Sequence, residues 1–203
     1  MKEKTLSPKV KALYEAVEEL IFENIDVKGI KVSDITERAG IGKGTAYEYF
    51  RNKEEIISSA LLYHIDLICR QMADKAVELK DFEKTLQFIL CSIDAEIRKR
   101  DCFVQFIHLV SDNGPIGKAL QNKIKEKDQE VCMPRDVIAR MIEIGTANGE
   151  ISKELPFSYI SMEIASSVLT YIIYILNEEG KDDCNKLQMH RLICRGLLKT
   201  LHE

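Results

Sequence analysis

The chain has 203 residues, 45% hydrophobic and 31% charged, with a formal net charge of −4. That is enough apolar material for a sizeable core, and it excludes an indiscriminate binder of polyanions. Residues 1–53 carry ten Lys/Arg against nine Asp/Glu, and the rest carry nineteen against twenty-four, so any nucleic-acid contact rests on local groups near the N-terminus.

Ser7-Pro8 opens the first predicted helix, with serine as N-cap and proline at the first helical position, where its missing N–H costs nothing. Val10, Leu13, Val17, Leu20 and Ile21 recur at helical spacing as its inner face, and the pattern fades between Asp26 and Gly29. A second helix spans roughly Ser33 to Arg38 and a third Lys43 to Phe50. Asn52 caps a fourth, with Glu55 completing a capping box. Helix 4 is long, with Ile56, Ile57, Ala60, Leu61, Ile65, Ile68, Met72 and Ala76 forming one apolar stripe. A break near Lys80-Asp81 lets Asp81 cap a fifth helix through Leu86, Leu90, Ile93 and Ile97. A short apolar helix covers Phe103 to Val110, and Asp112-Asn113-Gly114-Pro115 stops it. Further helices follow at about 116–131 and 135–147, divided near Pro134 and ended by Asn148-Gly149. Pro156 opens a very apolar helix that Glu178-Glu179-Gly180 ends, and Leu187 to Leu201 forms the last. The expected fold is all-α, with about nine helices.

Residues 32–51 read as helix, tight turn, helix. Ile35 and Ala39 lie four apart on one face of the first short helix. Gly40 stands where a helix ends in a left-handed residue, which glycine adopts without steric cost. Ala46 and Phe50, again four apart, point inward from the second. Lys43, Gly44, Thr45, Tyr47, Glu48 and Tyr49 are left for its other faces, as suits a helix that enters a groove and touches phosphates and base edges. The run Ala39-Gly40-Ile41-Gly42-Lys43-Gly44-Thr45-Ala46-Tyr47-Glu48-Tyr49-Phe50, followed by Lys53-Glu54-Glu55-Ile56, closely resembles the DNA-binding signature of TetR/AcrR-type transcriptional regulators. The resemblance covers about residues 8–60. It implies a three-helix DNA-binding domain at 7–60 and a ligand-binding and dimerisation domain at 61–203.

DNA contacts are expected at Lys43, Gly44, Thr45, Tyr47, Glu48 and Lys53. Lysine donates to guanine acceptors, threonine offers a hydroxyl and a methyl, and Gly44 permits close approach of backbone. Tyr47 either seals the three-helix core or gives its hydroxyl to a phosphate, the role family members typically assign to it. Lys53 either joins the free N–H groups of helix 4 in a phosphate site or is simply solvated. Tyr49 and Phe50 read as core. Three positions depart from the family pattern. Gly42 replaces a serine or threonine cap. Lys31 stands where a threonine caps helix 2, so that Ser33 takes over that role. Glu48 puts a carboxylate on the reading helix, where it accepts from cytosine N4 or repels phosphate.

The C-terminal region is expected, by family analogy, to hold a small-molecule effector in a mostly apolar cavity. Met72, Phe103, Phe106, His108, Met141 and Tyr171 are candidates to line it, with His108 as the polar handle; each also reads as ordinary core. The penultimate helix is apolar on more than one face, so it is either a buried central helix or a pairing surface. The resemblance implies a homodimer formed through the last two helices, about 157–177 and 187–201, on a double-stranded DNA operator.

No Ser/His/Asp set, phosphate-binding glycine loop or metal cluster is recognisable, so the chain is read as a non-enzyme without cofactor or metal. The cysteines at 69, 91, 102, 132, 184 and 194 form no C-x-x-C pair and no zinc-type spacing with the histidines at 64, 108, 190 and 202. Met1-Lys2-Glu3-Lys4 leads into a polar segment rather than a signal peptide, and no uninterrupted apolar run approaches membrane-spanning length. A cytoplasmic chain with reduced thiols and no membrane partner is expected. The expected function is a repressor released from a pseudo-palindromic operator by a small, largely apolar effector. Two alternatives stand beside it. One is an all-α binding protein or enzyme with a vestigial helix-turn-helix. The other is a redox-sensing regulator, with Cys102 and Cys194 near arginines that would lower a thiol's pKa.

Overall fold

A computed structural model describes residues 6–23, 25–99, 102–126, 131–176 and 183–202, without the side chains of 98, 99 and 183–185. Among them it contains ten α-helices and no strand: α1 Pro8–Phe22, α2 Val32–Arg38, α3 Lys43–Tyr49, α4 Lys53–Leu79, α5 Phe82–Lys99, α6 Cys102–Val110, α7 Pro115–Lys125, α8 Pro134–Asn148, α9 Phe157–Leu176 and α10 Asp183–His202. This is the all-α class expected, with one helix more than the approximate count because every segment set off by a breaker stands as a separate helix. The stop expected at Glu178-Glu179-Gly180 lies outside the described residues.

The chain forms two compact units, 1–66 with 99–131, and 67–98 with 132–203. The first unit groups α6 and α7 with the N-terminal helices. In the first unit Leu13, Val17, Ile21, Ile30, Ile35, Ala46, Ile56 and Ile57 are buried together as the core. Burying each large aliphatic side chain contributes about 1.5–3 kcal/mol. Tyr14 stacks obliquely on Phe50 and Tyr63, with ring centroids 6.0 and 5.4 Å away. Arg38 ties α2 to α1 through a paired contact with Glu23, 2.8 Å on each nitrogen, and a longer one to Glu19 at 3.3 Å. That pairing holds the exposed Glu23 carboxyl below its usual range. Lys28 meets Asp112 at 3.5 Å and Lys123 meets Glu55 at 3.9 Å, so the α6–α7 corner is tied to the helix-turn-helix side of this unit.

Capping follows the sequence in part. Asn52 Oδ1 accepts from Glu55 N at 2.8 Å, but the return bond from Glu55 goes to Arg51 N at 2.8 Å, one residue before the cap. Ser7 occupies the N-cap of α1 without a side-chain capping bond; its hydroxyl lies 3.4 Å from the Tyr49 hydroxyl. Ser33 does not cap α2. Lys31 holds the cap position, and its N–H donates to Asp34 at 2.9 Å. The Asp34 N–H, which a capping hydroxyl would serve, bonds instead to the Lys31 carbonyl at 3.1 Å.

The second unit holds the C-terminal part of α4, from Leu67, together with α5, α8, α9 and α10. Lys80 takes a left-handed conformation, φ 53°, at the break after α4. Its carbonyl accepts from the Asn148 side chain at 2.7 Å, and Asp81 caps α5 by accepting from Lys84 N at 2.8 Å. Glu150 accepts from Phe82 N at 3.0 Å, joining the start of α5 to the end of α8. Helix α9 is only partly buried. Ile160, Ile164, Tyr171, Ile172 and Ile175 face inward, while Met162, Leu169 and Ile173 are 58, 51 and 54% exposed. The fully buried alternative is thereby excluded for this chain alone. By length and composition α9 also reaches the range of a membrane span. Its apolar residues are interleaved with Ser, Thr and Glu163, so no uninterrupted run announces it.

Candidate nucleic-acid interface

The turn between α2 and α3 is built by the backbone. Gly40 has φ +63°. Its N–H donates to Glu37 O at 3.2 Å and the next, from Ile41, to Thr36 O at 2.9 Å. Those two bonds close a Schellman motif and satisfy carbonyls that the helix end leaves open. Gly42 then caps α3 in an extended conformation, and nothing lies within 4 Å of where a Cβ on Gly42 or Gly44 would be. The backbone along this face is open to a large partner.

Burial divides α3 cleanly. Ala46 is fully buried and Phe50, just past its end, is 7% exposed. Lys43, Gly44, Tyr47 and Glu48 are exposed and Thr45 is half-buried. Tyr47, at 52% exposure, does not seal the core, which leaves its hydroxyl for an outside partner. Tyr49 was expected in the core with Phe50, but it is 42% exposed. It sits on the last turn of a seven-residue helix, three positions from Ala46 and beyond the edge of the inward face. Tyr-x-Tyr-Phe spacing alone does not say which aromatic turns in; Arg51 beside Tyr49 is exposed as well. Two half-exposed tyrosines with cations at both ends of one short helix suit phosphate and groove contacts.

Lys53 opens α4 and is half-buried. Its ammonium donates to the Lys28 carbonyl at 2.9 Å. That contact fixes the side chain beside the N-terminus of a 27-residue helix, whose first N–H groups favour an anion.

The six candidate pocket residues are divided between the two units. Phe103 and Phe106 are buried on α6 in the first unit, and Met72, Met141 and Tyr171 are buried on α4, α8 and α9 in the second. His108, the expected polar handle, is exposed on α6, because the inward face of that helix is taken by Cys102, Phe103, Phe106 and Leu109. Tyr171 alone of the six lines a described cavity. That cleft of about 340 Å³ lies between α9 and α10, with Ser166, Ser167, Thr170, Tyr174, Met189 and Ile193. A second, more polar one of about 590 Å³ is lined by Glu83, Asn148, Glu150, Lys199 and His202 among others.

The buried polar cluster of the second unit was not anticipated. Tyr171 donates to Asp94 at 2.5 Å, and His190 Nε2 lies 2.6 Å from the Tyr171 hydroxyl and 3.2 Å from Asp94. Burial pushes Tyr171 up and His190 down. The available sequence signal was a carboxylate at 94, interrupting the Leu86–Leu90–Ile93–Ile97 stripe.

The two cysteines nominated as sensors are buried. Burial pushes Cys194 up to about 12, the opposite of the lowering expected from nearby arginines. Arg191 and Arg195 are exposed, so desolvation outweighs them. Among the described residues no group of His, Cys, Asp and Glu is placed to hold a metal ion.

Residues 21–60 match the model of the bacterial regulatory proteins of the tetR family. An uncharacterized HTH-type transcriptional regulator of Bacillus subtilis, YxbF, is 30% identical over 100 residues, which is 45% of this chain and 26% of that relative. The matched stretch thus spans about a quarter of the relative's length. Two solved structures share the fold. The fatty acid degradation regulator FadR of Bacillus halodurans has a TM-score of 0.68 at 19% identity, covering 96% of this chain and 97% of its own. FadR of Bacillus subtilis in complex with stearoyl-CoA has a TM-score of 0.65 at 20% identity, covering 96 and 98%.

Proposed function

We propose, from the premise that the chain is a TetR-family transcriptional regulator, that it is a homodimeric repressor released from a pseudo-palindromic operator by a small, largely apolar effector. The observation that carries the DNA side is the division of α3, with Ala46 and Phe50 inside and Lys43, Gly44, Tyr47 and Glu48 outside. Lys43 and Thr45 read base edges or adjacent phosphates, Tyr47 gives its hydroxyl to a phosphate, and Lys53 with the α4 N-terminus holds another. Two such helices, one per protomer, enter successive major grooves about 34–36 Å apart. Binding to an operator supports a cytoplasmic location.

The exposed apolar faces of α9 and α10, including Leu169, Ile173, Leu187 and Leu192, support pairing with a second copy. The stearoyl-CoA of the Bacillus subtilis structure makes acyl-CoA thioesters the first ligands to try. Effector binding is transmitted along α4, one continuous helix shared by both units. Within the first unit the Lys28 contacts to Asp112 and Lys53 link the α6–α7 corner to the phosphate-facing end of α4. A coupling of about 1–3 kcal/mol weakens DNA binding roughly 5–150-fold.

Lys53→Ala tests the assignment. It is expected to weaken binding to every duplex and lower the salt slope by about one. Loss of fold stability with an unchanged slope would instead make Lys53 a brace for the Lys28 carbonyl and remove it from the interface.

A further inference from the structure

We propose that Cys91 is a covalent-modification site for α,β-unsaturated carbonyl compounds, with His190 as the base that takes its proton. The proposal stands on the second unit alone and does not depend on the DNA reading. Cys91 lies on the exposed face of α5 with Gln87 and Ala95. Its Sγ is 3.8 Å from Nδ1 of His190, a side chain only 4% exposed. Across the ring, Nε2 is 2.6 Å from the Tyr171 hydroxyl and 3.2 Å from Asp94 Oδ2.

Proton counting fixes the tautomer. The Tyr171 hydroxyl has one proton and gives it to Asp94 Oδ1 at 2.5 Å. Its oxygen therefore accepts at 2.6 Å, and the donor is His190 Nε2–H. That leaves Nδ1 with its lone pair toward the thiol, and the S–H donates to it. Nucleophile, base and a buried carboxylate that orients the base are thus in line. Residues at 91, 94 and 190 carry no spacing signal, which is why no such set was visible in the sequence.

The chemistry balances without a co-reactant. Sulfur attacks the β-carbon and a C–S bond forms. The alkene π pair moves through the α-carbon onto the carbonyl oxygen as an enolate. The thiol proton passes to Nδ1 and then to the α-carbon, returning the imidazole to its neutral form. Asp94 stabilises the transient imidazolium. Burial and the Asp94 charge push the Cys91 thiol up, so the resting group is neutral. Peroxide oxidation follows standing thiolate, which this site lacks. A thiol of raised pKa is the stronger nucleophile once its proton is removed, and an uncharged alkene suits a base-coupled attack. The ionisable groups facing the pair are Asp94 from its own helix, Tyr171 and Tyr174 from α9, and Lys186 and Cys194 from α10.

The test is time-resolved peptide mass spectrometry of the full chain treated with N-ethylmaleimide near neutral pH. Cys91 is expected to be labelled about tenfold or more faster than the half-exposed Cys132, in keeping with the effect of a positioned base. His190→Gln is expected to bring Cys91 down to the Cys132 rate and leave Cys132 unchanged, with the fully buried Cys194 unlabelled as the sign of an intact fold. If that variant opens the fold and Cys194 reacts, the wild-type pH profile decides. A base-assisted thiol gives a rate that levels off above the His190 titration. An unassisted one climbs about tenfold per pH unit toward the ordinary thiol value of about 8.5. Equal rates at Cys91 and Cys132, no effect of His190→Gln in folded protein, or the unassisted profile would each overturn the proposal.

Discussion

Asp94, Tyr171 and His190 form a three-way contact that no single segment encodes, and their burial gives them measurable consequences. Removing the hydroxyl in Tyr171→Phe takes the donor from Asp94 Oδ1 and the 2.6 Å acceptor from His190, leaving those two only their own 3.2 Å contact, and is expected to cost about 1–3 kcal/mol, read as a lower urea midpoint. A change below the error of that titration would mean water replaces the hydroxyl. His190 adds a pH dependence. Burial holds its proton affinity in the folded chain below the unfolded value near 6.5. Between those two values the unfolded chain binds more protons, so this contribution is complete above about 6.5 and is lost as pH falls through the folded titration. Urea midpoints at pH 8 and pH 5.5 should therefore differ more in the wild type than in His190→Gln; equal differences would assign the acid sensitivity to other groups. At this scale the outward residues of α3 were legible from the sequence, because Ala46 and Phe50 four apart fix the inward face. Tyr49, at the helix end where periodicity weakens, was not.

At the level of elements, breakers carried most of the information. Gly40, Asp81, the Asp112–Pro115 run, Pro134 and Gly149 all mark helix ends in the structure, each through local backbone chemistry that a short window contains. What a window does not contain is packing. The grouping of α6 and α7 with the N-terminal helices brings together pairs such as Lys28–Asp112 and Glu55–Lys123, which are far apart in the chain. Gly117 belongs to the same class. A Cβ there would lie 2.2 Å from the Asp112 carbonyl oxygen and 2.9 Å from that of Leu109, a close approach that sequence alone does not announce. Gly117→Ala is expected to destabilise the protein by about 1–3 kcal/mol, as overpacking does; a neutral melting curve would mean that the α6–α7 corner yields. For α9, exposure of Met162, Leu169 and Ile173 is the feature that pairing with a second copy explains. Replacing Leu169 and Ile173 together by Glu is expected to shift the mass seen by light scattering from dimer to monomer. A wild type that already runs as a monomer would contradict pairing through this face.

At the scale of the whole molecule the helix-turn-helix signature is legible, since the run between Ala39 and Ile56 is local and dense. The ligand chemistry was not. Its candidate residues are split between two units, its buried polar groups lie 77 and 19 positions apart in sequence, and the exposed His108 offers no interior handle. The central claim is therefore sequence-specific recognition by α3. The direct measurement is selection of bound duplexes from a random library by the purified full chain, followed by a salt titration of the enriched sequence against a scrambled one. Enrichment of a two-fold-symmetric motif with half-sites one helical turn apart, bound about 10³-fold or more tighter than the scrambled duplex, is the predicted result. A library that enriches no motif, with equal and weak binding to both duplexes, would contradict it.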